Sequence, residues 1–142
     1  MAGLKPPDAL MPALQVYRER FQPSEQLERP YAMVGVNVIA ADTDCAAQRL
    51  FTSAQQAFTN AVRGTRRQLP PPIDDIETYW SPLEKLQASS MLACSFVGSP
   101  QTVRRGLERF IDQTRADELM VASAIYDHAA RLRSYELLAG IK

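Results

Sequence analysis

Histidine, cysteine, net charge and long apolar runs are all scarce in this chain of 142 residues. One histidine and two cysteines leave no ligand set for a structural zinc, and neither Cys45 nor Cys94 belongs to a CxxC pair. Both cysteines fall in segments that read as helices, as free thiols of a reducing compartment, with Cys94 a small apolar core residue. Sixteen basic residues cancel sixteen acidic ones, so no long-range field draws the chain to a nucleic-acid backbone or an anionic membrane. The one basic concentration, Arg63, Arg66 and Arg67, is broken by glycine and threonine and reads as a solvated loop. No stretch approaches the roughly 18 apolar residues that cross a bilayer. The opening MAGLKPPDALM lacks the basic-then-apolar order of a signal peptide. A nucleophile elbow, a P-loop and a GxGxxG turn are missing as well. The expectation is a cytoplasmic protein with no membrane, nucleic-acid or metal partner.

What is present is a globular average, 46% apolar and 23% charged residues, which at this length means one domain with a real core. Leu10, Leu14, Tyr17 and Phe21 recur at helical spacing over residues 8–21, with Asp8 as the cap. Residues 31–41, YAMVGVNVIAA, form a valine-rich run without polar alternation, the mark of a strand covered on both faces. Asp42 or Thr43 then starts a long helix whose stripe is Ala47, Leu50, Phe51, Ala54, Phe58 and Val62, stopped by Gly64. Residues 64–80 carry three consecutive prolines and read as an exposed excursion, pinned by Tyr79 and Trp80. The acidic cluster Asp74, Asp75 and Glu77 within it reads as solvated. Ser81-Pro82-Leu83-Glu84 is a capping box with proline at the first helical position, opening a helix to about Cys94. Ser99-Pro100 opens another, with Val103, Leu107, Phe110 and Ile111 as its stripe. Residues 118–125, ELMVASAI, read as a second strand, and Asp127 caps a last helix that buries Leu132, Tyr135 and Leu138.

The class is therefore α/β, with two βα units and extra helices. Parallel strands need helical crossovers, and two strands are too few to stand alone. The sheet is expected to be completed by dimerisation or by further chain. The first residues lead straight into a helix, as though a strand had just ended.

The ordered set Val97-Gly98-Ser99-Pro100, a helix, Ala116-Asp117-Glu118-Leu119-Met120-Val121, and Ile125-Tyr126-Asp127-His128-Ala129-Ala130-Arg131-Leu132-Arg133-Ser134-Tyr135 resembles the end of the luciferase-like, flavin-dependent monooxygenases. Arg29-Pro30-Tyr31 leading into Val34-Gly35-Val36-Asn37-Val38 is similar to that family's penultimate strand. The resemblance implies a C-terminal fragment of a TIM-like (β/α)8 barrel. Residues 1–142 would be a single partial domain, with 64–80 an insertion before the last strand. It also implies reduced flavin mononucleotide (FMN) as cofactor for the whole enzyme, with most flavin contacts in earlier strands that this chain does not contain. The corresponding functions are the C-terminal portion of a monooxygenase, inactive alone, or a non-catalytic homodimeric interaction module.

Barrel chemistry gathers where strands end and helices begin, here Ala40 to Thr43 and Ser123 to His128. Tyr126 and His128 are the candidate cleft residues: His128 either moves a proton or faces solvent in a first helical turn, and Tyr126 either lines the cleft or packs. Asp42, Thr43 and Asp127 read as helix caps. Asn37, inside the first strand, needs a hydrogen-bonding partner. The Gly98-Ser99-Pro100 turn is expected on the opposite, stability face of the barrel, away from the chemistry.

Overall fold

The structure, a computed structural model, describes residues 7–141; residues 1–6, where no signal peptide was read, lie outside the described part. Helix α1 spans Leu10–Arg20, and its N-cap is Ala9 rather than Asp8. Strand β1, Met33–Ala40, follows. Helix α2, Asp44–Val62, begins where the Thr43 hydroxyl accepts the Ala46 amide at 3.1 Å and ends before Gly64, whose φ of 72° is easiest for glycine. Helix α3, Pro82–Met91, opens on the complete capping box of Ser81 and Glu84. Strand β2 is Ser95–Gly98, helix α4 Pro100–Thr114, strand β3 Glu118–Ala122 and helix α5 His128–Ala139.

Among the described residues the sheet has three parallel strands in the order β2-β1-β3. The two strands read from the sequence are thus direct neighbours, with Met33 opposite Glu118 and Asn37 opposite Ala122. The third corrects the expectation of two strands. Asn37 to Ala40 of β1 pair with Ser95 to Gly98. The run Met91–Val97, MLACSFV, is apolar but for Ser95 and holds no glycine or proline to mark the change from helix to strand. The change is made by backbone: Leu92 leaves helical geometry at φ −97° and ψ 13°, and a turn delivers the chain to the edge of β1. Cys94 accordingly lies in that turn rather than in a helix, half-buried, and burial pushes its thiol pKa up.

One face of the sheet is the core. Val34, Val36, Val38 and Ala40 of β1 and Phe96 of β2 cluster with Leu14 of α1 and Val103, Leu107 and Phe110 of α4. Phe96 and Phe110 meet edge to face at 5.3 Å between ring centroids. Leu137 and Leu138 of α5 close the margin, and the buried residue of that helix is Ser134. Its hydroxyl accepts the Ala40 amide at 2.9 Å. Leu132 and Tyr135, expected inside, are 50% and 40% exposed, because the helix turns a small polar residue, not its bulky ones, toward the strand end.

The other face is open along most of β3. Met33, Gly35 and Asn37 of β1 stand beside Glu118, Met120 and Ala122 of β3. Met33 is 48% and Met120 61% exposed, which is unusual for paired strands in a parallel sheet.

The stretch between α2 and α3 is anchored rather than free. Trp80 is buried, the Tyr79 hydroxyl donates to Asn60 at 2.7 Å, and Gln56 donates to the Pro71 carbonyl at 2.9 Å. Arg63 leaves the solvated group assigned to it: its guanidinium donates to both carboxylate oxygens of Glu84 at 2.6 and 3.1 Å and to the Tyr79 carbonyl at 2.7 Å. This bidentate contact holds the Glu84 carboxyl at about 2. Among the described residues no helix is long and apolar enough to cross a membrane.

Candidate functional site

Because the strands are parallel, all their C-terminal ends reach one edge of the sheet. Three turns meet there: Ala41 to Thr43 after β1, Ser99 after β2, and Ser123 to Asp127 after β3. The position of the second turn corrects the sequence reading. Gly98 pairs with Ala40 at the end of β1, and the Ala41 amide donates to the Gly98 carbonyl at 3.2 Å. The Gly98-Ser99-Pro100 turn therefore opens on the same edge as Tyr126 and His128, not on the opposite face. The misplacement follows from overlooking β2, which carries the chain back across before α4 begins.

Three helices start at this edge, and free amides at a helix start attract anions. In each case the chain supplies the acceptor. Thr43 caps α2. The Asp127 carboxylate accepts the Ala130 amide of α5 at 2.8 Å, as expected of a cap. At α4 the Ser99 side chain makes no cap bond; instead Asp44, from the first turn of α2, accepts the Ser99 amide at 2.7 Å. That amide, with the Thr102 and Ser99 hydroxyls, holds the Asp44 carboxyl below its ordinary range. Asp44 escaped the sequence reading because an aspartate in a first helical turn signals only a dipole preference, and its reach to α4 exists only once β2 brings Ser99 alongside.

Asp42 is exposed and does not cap α2. It accepts from the Arg133 guanidinium of α5 at 2.8 Å, tying the β1 turn to the last helix. Tyr126 is 54% exposed. His128 is the first residue of α5 and exposed, with its Nδ1 2.8 Å from an Arg131 guanidinium nitrogen. A guanidinium can only donate, so in this contact Nδ1 is the acceptor. Behind the rim, Asn37 spans the sheet: its amide donates to the Ser95 hydroxyl at 3.4 Å and its carbonyl oxygen accepts the Ala124 amide at 3.1 Å. Beside it the Ser123 hydroxyl donates to the Val38 carbonyl at 2.7 Å. These bonds fix the root of the turn that presents Tyr126 and His128. The structure thus brings Tyr126, Asp127 and His128 to one exposed turn. Among the described residues no group of three or more histidine, cysteine, aspartate or glutamate side chains is placed to hold a metal ion.

The comparisons with known proteins bear on the whole chain at once. No family model matches it. A protein named "Luciferase-like monooxygenase" from Escherichia coli (strain K12) is 49% identical over 136 residues, 96% of this chain and 41% of its own length. The Bacillus subtilis (strain 168) protein YvbT is 48% identical over 135 residues, 95% of this chain and 40% of its own length. The solved structure of apo-MsnO8 superposes with a TM-score of 0.76 at 33% identity, over 92% of this chain and 40% of that one. The chain thus spans about two fifths of the length of the curated relatives it matches. With the strand-and-turn order already described, the chain is recognised as a part of a protein of the luciferase-like monooxygenase family, in keeping with the C-terminal portion.

Proposed function

We propose that this chain forms the last wall of a luciferase-like, flavin-dependent monooxygenase barrel, and that it does not bind the flavin by itself. The supporting observation is the pairing of β1 directly with β3 in parallel, as successive barrel strands pair, in a chain with the length of two fifths of its relatives. On this reading the open face of Met33, Gly35, Asn37, Met120 and Ala122 is the inward face of a barrel wall. β2 is an extra strand of the segment between the last two barrel strands. The exposed turn of Tyr126 and His128 then lies at the mouth, where barrel enzymes place their chemistry.

The family implies FMN, whose phosphate needs amides or cations free to receive it. The rim residues do not fit that end of the molecule. Asp44 and Asp127 fill the starts of α4 and α5, and Arg133 is engaged by Asp42. A phosphate arriving there would meet those carboxylates, with the exposed Arg105 near Asp44 as the cation at that end. No catalytic step is therefore assigned to these residues, and the phosphate site belongs to chain outside this one. The protein's part in such chemistry is to position the cofactor and exclude water.

The test is titration of the purified chain with FMN, oxidised and then reduced, with mass followed by light scattering. No saturation up to about millimolar FMN, against micromolar binding in intact flavoproteins, is expected. Saturable micromolar binding would refute the claim that the phosphate site lies elsewhere. The second reading, a non-catalytic homodimeric module, is favoured by one feature: the free edge of β3 beside exposed Met120. It predicts a dimer mass with or without flavin.

A further inference from the structure

Helix α3 carries its apolar side chains the wrong way round for a solvated surface. It packs chiefly on α2, and of its ten residues the buried one is Ala88. Leu83, Leu86 and Met91 are 64%, 69% and 52% exposed. A surface helix normally turns its bulky residues inward, as α4 does with Val103, Leu107 and Phe110. A helix this short is also marginal unless an apolar face is packed. Beside the exposed leucines, α3 and the end of α2 form an open groove of about 580 Å³, lined by Val62, Leu86, Gln87, Ser90 and Met91.

The charges around α3 narrow the kind of partner that fits. Its two charged residues are both engaged within the chain: Glu84 by Arg63 at 2.6 Å and Lys85 by Glu77 at 2.7 Å. The flank of Leu83, Leu86, Gln87, Ser90 and Met91 holds no charge, and depletion of charge marks the core of an interface. A nucleic acid or a charged peptide would find no opposite charge on it. The same flank offers two projecting leucines and, next to them, an apolar groove. A two-fold axis would let each copy supply both, with no like charges opposed. We propose that this flank is an interface between two copies of this chain, α3 against α3. Helix α3 lies beyond α2, in the segment between β1 and β2. The contact therefore leaves the open sheet face and the free edge of β3 untouched, and it holds whether or not the chain is a barrel wall. A ten-residue helix is about 15 Å long, so the contact falls short of the roughly 800 Å² per partner of a standard interface. The expected Kd is accordingly weak, on the order of 10–100 μM.

The experiment is sedimentation velocity of the purified chain from about 5 to 500 μM, over which the mass should rise from one copy toward two. Leu86→Glu places a carboxylate from each copy in the contact and should weaken association about tenfold or more. Its circular dichroism should stay unchanged, because position 86 is exposed. Leu83→Ser, a milder change, should weaken association about threefold and serves if Leu86→Glu disturbs the helix. Met120→Lys, on the sheet, should leave the association constant within about twofold. Hydrogen exchange needs no variant: amides of Pro82–Met91 should slow as concentration rises, and those of Glu118–Ala122 should not. A chain that stays monomeric at about 500 μM overturns the proposal. So does an association that Met120→Lys removes and Leu86→Glu leaves, which would put the interface at the sheet. FMN binding is read in its own titration and bears on the barrel reading alone.

Discussion

Replacing Gly98 with alanine probes the junction on which the site's geometry depends. Gly98 ends β2 at φ 152°, a backbone conformation that residues with a Cβ rarely adopt. A Cβ there would lie 2.7 Å from Asp44 Oδ1, 2.7 Å from Thr102 Cγ2 and 2.8 Å from Thr102 Cβ. Backbone strain of this kind costs about 1–3 kcal/mol. Moving Asp44 aside also loosens its charged bond to the Ser99 amide. Gly98→Ala should therefore destabilise the chain by at least the strain term, about 1–3 kcal/mol, a sizeable part of the 5–15 kcal/mol typical of a domain. Urea unfolding followed by far-ultraviolet circular dichroism measures it. The Asp44→Ala background separates the two causes: with the carboxylate gone, Gly98→Ala should cost less, by about 1 kcal/mol or more. A loss under about 1 kcal/mol for Gly98→Ala would refute the strained junction. Strictly additive costs would show that the Cβ never meets Asp44.

Three other outcomes follow from the same contacts. Ser134→Ala leaves the buried Ala40 amide without its acceptor and should cost about 1–3 kcal/mol in the same urea assay, whereas Ser134→Thr keeps a hydroxyl. Phe96→Ala removes the ring that meets Phe110 in the core and should cost about 3–5 kcal/mol, with loss of cooperativity as the readout of failed packing. Glu84 has its carboxyl held at about 2 in the folded chain, against an ordinary 4.5, and Asp44 is also depressed below 3.8. Their stabilisation is complete above those ordinary values and is lost as pH falls through the lower folded ones. The urea midpoint should therefore fall below about pH 4.5, and Glu84→Gln should flatten that fall; an unchanged acid limb would mean the Arg63 contact is absent in solution.

Legibility in the sequence followed the kind of signal each element carried. Strand β1 was readable because eight residues of apolar, β-branched chain buried on one face and packed at one end leave no helical alternative. The capping box of α3 and the Asp127 cap were readable because their partners lie three residues away in sequence. β2 was not, since four residues after an unbroken apolar run have neither period nor punctuation, and what makes them a strand is a pairing with residues 58 positions earlier, as in the Asn37 to Ser95 contact. Helix α2 shows a second limit. Its buried residues include Thr52 and Gln56, which donate to the Ile73 and Pro71 carbonyls of the proline-rich segment, and Thr59, whose hydroxyl donates to the Gln55 carbonyl of its own helix. Hydrophobic periodicity is blind to a face made of hydroxyls and amides. Tyr126 and His128 could be singled out from the order of elements, but Asp44 and Arg133 owe their places to contacts that only the folded sheet creates, at 55 and 91 residues' separation.

The way charge is spent at the rim separates what this chain supplies from what it needs. Asp44 answers the amide of Ser99, Asp127 that of Ala130, Asp42 the guanidinium of Arg133, and Arg131 the imidazole of His128. The Asp44 bond ties α2 to the turn after β2, the Asp42 bond ties the turn after β1 to α5, and the other two lie within the first turn of α5. A rim so engaged is a rigid support with few free donors to offer an anion. The opposite holds for the sheet face, where Met33 and Met120 are exposed and Asn37 is the polar residue at the centre, already bonded to Ser95 and Ala124. Burial of that apolar surface would stabilise any complementary partner at about 25 cal/mol per Å² covered. The unspent free energy of the chain therefore lies on the face and edge of the sheet, and the unspent chemistry at Tyr126 and the Nε2 of His128. On the barrel-wall proposal, both would be used where other strands bring a ligand's remaining contacts to the same edge.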